Sequence, residues 1–390
     1  MESQKRKIKV LHIITLFSVG GATETVVSIA KGLKDKGYDV TIISGSHISS
    51  EGNMLPIAKE FGLNVTIIPD LKRNIHPIYD LKSLFHIKKI IKEGNFDIVQ
   101  THSSKAGIIG RFAARLAGVK HIVHTIHGLP FHSYQNSIIR WLYIFIEKLS
   151  AKITSVLVAV SNQIVKESLH YKVGKNEQFV VIRSGFNTDD YRVNPETSDK
   201  YRKMLGFKRD DFVIGKISRL SKLKGHSILI QVLPNIIKEF PQVKIMFVGD
   251  GEMMNELVTK VKGLGINEHV IFTGAVPPSA IPDYLSAMDA VIHTSLHEGL
   301  PRVIPQALLM RKPVITYNLD GAPEIIIDDY NGLLIPPLND ELLQNSIKKL
   351  IKEYPKFYNN CVDNEEPIRR EFDEMKTVTD ICKLYDNLLS

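Results

Sequence analysis

With 390 residues, 44% of them hydrophobic, the chain has material for a large core, and its length sits more comfortably as two domains than as one. Its two cysteines, Cys361 and Cys382, exclude a disulfide framework and a Cys-rich metal site, and fit a reducing, cytoplasmic setting. The net charge of +8 sits in the first half: residues 1–190 carry 25 Lys+Arg against 15 Asp+Glu (+10), and 191–390 carry 25 against 27 (−2).

In chain order, a basic start and a short apolar run resemble a signal peptide, but His12 interrupts the run and no small-residue cleavage pattern follows. A first buried strand over 10–14 is the better expectation. Further strands are expected at 40–43, 65–68, 98–99, 121–124 and 156–160, with helices such as 25–36 and 105–117 between them. The pattern restarts at 213–217, 243–248, 270–272, 290–293, 313–316 and 332–335. This alternation is the mark of repeated βαβ units and predicts an α/β fold with two parallel sheets. A polar, turn-rich stretch places a linker near 186–205. The expected domains are therefore 1–186 and 187–370, with 371–390 as a final helix able to cross back onto the first. No run approaches the 18 apolar residues of a membrane span; the nearest, 141–146, is far shorter. The segment 137–149, with Arg140, Trp141, Leu142, Ile144, Phe145 and Lys148, reads either as a membrane-facing amphipathic helix or as a core helix.

The basic first half suggests an anionic partner, a phosphorylated lipid or an acidic membrane surface, and equally fits a merely solvated basic surface. Nucleic-acid motifs and basic–aromatic interleaving are absent, so nucleic acid is not expected. A dinucleotide fingerprint is also absent: Gly249-Asp250-Gly251 follows a strand, but Met254 stands where the third glycine belongs. There is no Asp-x-Asp; the adjacent pairs Asp189-Asp190, Asp210-Asp211 and Asp328-Asp329 fit turns or helix ends, so neither metal nor cofactor is expected.

The most informative stretch is 294–309. A strand ends near His293, a loop carries Glu298, and a helix is expected from about Pro301, whose missing N–H has no partner in a first turn anyway. The free N–H groups of that turn form an anion site. Gln306 follows about two turns after Glu298. The second constellation is 218–225, with Arg219 and Lys224: two fixed cations able to hold phosphate oxygens, though taken alone they also fit a solvated surface. Gly20-Gly21 allows close backbone approach to a ligand and equally fits a tight turn. His127, after the strand at 121–124, fits a substrate-facing or a structural histidine.

Taken together, these motifs resemble the family-4 glycosyltransferases, retaining enzymes of the GT-B architecture, over nearly the whole length. The resemblance implies two Rossmann-like domains with parallel sheets facing a central cleft, the first binding acceptor and the second a nucleotide-sugar donor. Glu298-Gly299-Leu300-Pro301 matches the family's Glu-Gly-Leu-Pro loop, but the second Glu, eight residues on, is Gln306 here. That change leaves one carbonyl acceptor for the ribose hydroxyls and removes the charge. Arg219 and Lys224 match the basic pair on the donor diphosphate, and His127 the histidine beside the donor sugar. Gly20 and Gly21 match a loop near the diphosphate, and Gly274 lies where the family contacts the base. His102 and Lys105 resemble a segment of polysaccharide-assembly members and are expected near the acceptor. The implied reaction is metal-independent transfer of a hexose-type sugar, expected to be UDP-linked, to a hydroxyl of a lipid-linked glycan at the inner face of the cytoplasmic membrane. Two rivals stand beside it: a non-hydrolysing nucleotide-sugar epimerase, against which Arg219, Lys224 and Glu298 argue, and a non-catalytic nucleotide-sugar-binding subunit, favoured only by Gln306.

Overall fold

A computed structural model describes residues 6–48 and 52–390, so part of the basic N-terminal start lies outside the described residues. The chain divides into two compact units: Met1–Phe186 with Asp373–Ser390, and Asn187–Phe372.

The first unit is built on a parallel sheet of β1 (Lys9–Ile14), β2 (Asp39–Ser44), β3 (Asn64–Ile67), β4 (Ile98–His102), β5 (His121–Ile126), β6 (Val156–Ala159) and β7 (Phe179–Val181). Their order is β3-β2-β1-β4-β5-β6-β7. Central strands covered on both faces read as continuous rather than alternating apolar runs, which is why the expected strands coincide with Val-Ile-Leu clusters. The short edge strand β7 has no counterpart among the expected strands; Val180 and Val181 are exposed, so burial leaves little pattern to read. The second unit repeats the plan with β8 (Phe212–Ile217), β9 (Val243–Val248), β10 (Val270–Phe272), β11 (Ala290–His293), β12 (Val314–Tyr317) and β13 (Gly332–Ile335), in the order β10-β9-β8-β11-β12-β13. Every strand pair in both sheets is parallel.

In each sheet, successive strands first run outward in one direction and then restart on the other side of the first strand. The reversal falls between β1 and β4 in the first unit and between β8 and β11 in the second. Loops leaving adjacent strands at such a point go to opposite faces and leave a crevice at the carboxyl ends, the usual ligand position in open α/β sheets.

The last helix, Glu374–Leu389, belongs to the first unit. It packs on the helix Gly21–Asp35, where a Cβ on Gly32 would lie 2.4 Å from Val378, and Tyr385 donates a hydrogen bond to Gln100 Oε1 on β4.

Two expectations need correction. The linker placed at 186–205 contains a helix, Pro195–Met204, that belongs to the second unit. Asn194 accepts hydrogen bonds from the Glu196 and Thr197 N–H groups and Pro195 opens the first turn, so the residues that suggested turns are a helix start. The helix expected from Pro301 begins at Val303, because the Ile304 N–H is already satisfied by the Pro301 carbonyl. Pro305 thus falls in the first turn, where an N–H is not needed.

Candidate active site

In the second unit, the loops after β8, β9, β10, β11 and β12 meet at the reversal point. Loop 218–225 leaves β8 and turns into the helix His226–Glu239 through Gly225, whose φ of +71° is left-handed. A Cβ there would sit 2.2 Å from the Thr294 carbonyl oxygen, so glycine is required twice over. A Cβ on Gly249 would lie 2.3 Å from Ser218 O and one on Gly251 2.4 Å from Leu220 O, which locks the β9 loop onto the β8 loop. Gly249 in turn donates to Gly274 O at 3.0 Å.

The loop after β11 brings Glu298 to Lys224. These two form an ion pair, Ser295 Oγ donates to the same carboxylate oxygen at 2.9 Å, and His293 Nε2 lies 3.6 Å from it. Burial alone would raise the Glu298 carboxyl, but Lys224, His293 and the two hydrogen bonds outweigh it and hold the pKa at about 2. Glu298 is therefore a fixed carboxylate, an acceptor for hydroxyl groups. Its N–H donates to Asp320 Oδ2 at 2.6 Å, and burial pushes Asp320 up to about 6.

Beneath this pair lies Lys216 on β8, only 1% exposed, whose ammonium donates to Thr294 Oγ1 at 3.0 Å. Thr294 passes the bond on to the Gly225 carbonyl at 3.0 Å. Burial first, and the Lys224 charge second, lower Lys216 to about 7, while burial with Lys216 and Lys224 lowers His226 to about 2. The crevice thus brings two lysines, Lys216 and Lys224, together with two carboxylates, Glu298 and Asp320.

Arg219 is exposed at the start of the β8 loop, with Lys222 an exposed neighbour. Gly299, Leu300 and Pro301 are buried, so any ligand contact there runs through the backbone. Gln306, 9% exposed, sits on the seven-residue helix Val303–Leu309, all of whose residues are buried. Gly274 has a φ of +74° with open space around its Cβ position. Among the described residues, no group of three or more His, Cys, Asp or Glu side chains could hold a metal ion.

In the first unit, Gly20 and Gly21 form the turn from β1 into the helix Gly21–Asp35. No atom lies within 4 Å of a Cβ on Gly20, so packing does not demand glycine there. His127 follows β5, and its Nε2 lies 3.1 Å from His102 Nδ1. His102, expected near the acceptor, has no exposed surface and is stacked between His12 and His127. Lys105, also expected near the acceptor, pairs with Asp80 at 2.5 Å and donates to the Asn74 carbonyl.

Sequence reasoning passed over Lys216, His12, His293, Ser295 and Asp320. The first three carried a readable signal, a polar residue inside an otherwise apolar strand, in VIGKI, KVLHII and AVIH.

Comparisons with known proteins fit this geometry. Residues 19–190 match the family model Glycosyltransferase Family 4, and residues 197–366 match Glycosyl transferases group 1. The chain is 31% identical over 343 residues to the UDP-Gal:alpha-D-GlcNAc-diphosphoundecaprenol alpha-1,3-galactosyltransferase of Escherichia coli, covering 87% of each chain. It is 25% identical over 351 residues to the capsular polysaccharide biosynthesis glycosyltransferase CapM of Staphylococcus aureus, covering 88% of each. Among solved structures, Anabaena HepE in complex with UDP-glucose superposes with a TM-score of 0.82 at 25% identity, over 97% of this chain and 100% of that one. The chain belongs to the family-4 glycosyltransferases and has their GT-B fold.

Proposed function

We propose that this glycosyltransferase moves a hexose-type sugar, with retained anomeric configuration and without a metal, from a UDP-sugar to a hydroxyl of a lipid-linked glycan during cell-surface polysaccharide assembly. The observation that carries the reading is the Lys224–Glu298 pair over the Lys216 floor at the reversal point of the second sheet. Fixed cations stabilise charge growing on phosphate oxygens without having to reorganise. In the proposed step the bond from the sugar anomeric carbon to the phosphate oxygen breaks, and its electron pair leaves with UDP, whose oxygens are held by Arg219 and Lys224. The acceptor oxygen bonds to the anomeric carbon on the same face, and its proton passes to the departing phosphate. Glu298 accepts hydrogen bonds from sugar hydroxyls, His127 orients the sugar, and Gln306 meets the ribose. Gly20, Gly21, Gly274 and the 299–301 backbone line the donor. The E. coli relative, named for UDP-Gal and a diphosphoundecaprenol-linked acceptor, and the UDP-glucose complex of HepE support the donor and acceptor classes.

Membrane attachment is the second part of the proposal. No helix among the described residues is long and apolar enough to cross a membrane. The helix Ser137–Lys152 is, however, inverted for a water-facing element. It buries Glu147, Ser150 and Ala151, while Ile138 is 75% exposed, Trp141 64% and Phe145 45%. Glu147 is accommodated inside by Arg111 at 2.7 Å. Lys148, Lys152, Lys172 and Lys175 line an adjoining groove with Phe145 and Leu149. Aromatic residues beside a lysine cluster match the interface of an anionic bilayer, each lysine contributing about 1 kcal/mol near such a surface. The helix Pro77–Gly94, exposing Ile78, Leu81 and Phe85, packs on the same neighbour, Ser104–Ala117, and shares this layer.

Donor binding and slow hydrolysis are to be screened with UDP-, GDP- and ADP-sugars in EDTA, for the wild type and Glu298→Ala. One UDP-sugar binding and turning over without metal, with turnover lost in Glu298→Ala, is the expected result. Absence of any nucleotide-sugar binding overturns the reading, and binding without turnover favours the non-catalytic nucleotide-sugar-binding subunit. For the membrane, sedimentation with phosphatidylglycerol vesicles should be lost in Trp141→Glu/Phe145→Glu. Equal binding to phosphatidylcholine vesicles, or binding by the double variant, refutes the electrostatic part or the helix respectively.

A further inference from the structure

In the second unit, the loop after β12 holds a residue in a conformation that its type does not favour. Asp320 has a φ of +52°, the left-handed region that is strained for every residue except glycine, although aspartate tolerates it better than most. The turn around it is fixed from both sides. The Asn318 N–H donates to the Ile335 carbonyl at 2.8 Å, the Ala322 N–H donates to the Leu319 carbonyl at 3.2 Å, and Leu319 packs against the core of the unit. Strained residues persist where their surroundings over-determine them, and they gather at functional sites. Glycine would adopt the same backbone without strain, so the reason for aspartate lies in its side chain.

That side chain serves the Glu298 loop. Asp320 Oδ2 accepts the Glu298 N–H at 2.6 Å, and the next residue, Gly321, donates its N–H to the Gly299 carbonyl at 3.0 Å. Residues 320 and 321 thus grip residues 298 and 299 with one bond in each sense. The Glu298 carboxylate is fixed separately, by Lys224 and by Ser295 Oγ at 2.9 Å. Glu298 is therefore held from three loops: the one after β8, its own after β11, and the one after β12. The grip is made against electrostatic opposition. Burial and the Glu298 charge push the Asp320 carboxyl up, against the opposing pull of the Glu298 N–H and of Lys224. An aspartate that is strained, partly buried and repelled by a neighbour opposes folding on three counts, and core packing asks for none of them.

We infer that Asp320 is a positioning residue for Glu298: by accepting its N–H from the β12 loop, it fixes where the Glu298 carboxylate stands and so which donor-sugar hydroxyls that carboxylate can meet. The inference rests on the reading that Glu298 accepts hydrogen bonds from sugar hydroxyls. Two epimeric hexoses differ in the direction of one hydroxyl, and a polar site rejects the wrong one only when its acceptor stays in place and is left unpaired. Asp320 acts on donor choice through Glu298.

Two replacements separate the side chain from the backbone. Asp320→Gly removes both the strain and the acceptor, whereas Asp320→Asn tolerates the left-handed backbone and keeps a carbonyl acceptor of the same reach. The first arm reads the grip alone: in 15N-Glu-labelled protein the Glu298 amide is assigned by its absence from Glu298→Gln, and its hydrogen exchange is followed. Exchange should be at least about tenfold faster in Asp320→Gly than in the wild type, and close to the wild-type rate in Asp320→Asn. Unchanged exchange in Asp320→Gly overturns the inference whatever the activity shows. The second arm measures kcat/KM for hydrolysis of UDP-glucose and UDP-galactose, which differ in one hydroxyl. The wild-type preference between them should shrink at least about threefold in Asp320→Gly and survive in Asp320→Asn. An equal loss for both sugars in Asp320→Gly, a preference lost equally in both variants, or a wild type without preference overturns the role in donor choice. If Glu298→Ala keeps the wild-type preference, the reading of Glu298 at the sugar has failed, and fast exchange in Asp320→Gly then leaves the grip standing. Turnover of neither sugar by the wild type counts against a UDP-hexose donor, and exchange alone then decides the grip.

Discussion

Replacing Lys216 by methionine should make the protein more stable and less active. In the folded chain burial and the Lys224 charge hold Lys216 at about 7 against an ordinary value of 10.5. Between those values the unfolded chain binds a proton that the folded chain does not, so this residue's contribution to stability rises with pH across that window and is lowest below it. At pH 7, keeping the lysine costs the fold roughly 4 kcal/mol by this linkage. Methionine, unbranched and of similar length, removes that cost and also removes the hydrogen bond to Thr294, worth about 1 kcal/mol. A net gain of roughly 3 kcal/mol near pH 7 follows, or about 6–12 °C in the melting of a unit of this size. Near pH 10 the gain should vanish or turn into a small loss. Melting of both proteins followed from pH 6 to 10 measures it, and the difference between them isolates Lys216 from every other titrating group. A difference that does not change with pH refutes the argument, because the lysine would then be solvated. Activity should fall about tenfold, because the Lys216–Thr294–Gly225 relay ties the Lys224 loop to the Glu298 loop. A variant that gains stability and keeps full activity would show the relay to be dispensable.

Gly225→Ala combines left-handed backbone strain with a contact at 2.2 Å on Thr294, and should cost about 2–4 kcal/mol of stability and weaken UDP binding; thermal melts with UDP titration check both. Glu147→Ala strands the buried Arg111 guanidinium and should lose about 3–5 kcal/mol in urea unfolding, whereas Arg111→Met/Glu147→Leu should recover most of it. Gln306→Glu supplies a charged acceptor where the family carries Glu, and calorimetry should find UDP bound about fivefold more tightly, the ~1 kcal/mol separating charged from neutral hydrogen bonds. Unchanged or weaker binding means that residue 306 does not meet the ribose.

The sequence displays the parallel strands because they are buried on both faces, and a doubly buried strand leaves an apolar run such as Ile-Met-Phe-Val in β9. It displays the helix starts less well: Asn194-Pro195 reads as a turn until the chain beyond it is known to be helical, because the same capping residues serve both. The conspicuous candidates Arg219, Lys224 and Glu298 stand in loops, where charge attracts attention. Their supports do not. Lys216, His12 and His293 sit inside strands, each a single polar letter in an apolar run, and a single letter does not reveal whether the side chain is an accident of the core or the floor of a site. What separates these cases is the strand order. Only when β8 is seen beside β11, and β1 beside β4, do the isolated polar letters fall at the two reversal points, where the crevices open. The same placement explains why these costly residues persist. A buried lysine and buried histidines oppose folding, and they occur where the loops of each unit converge, so the local conflict between sequence and core is itself the sign of the candidate site.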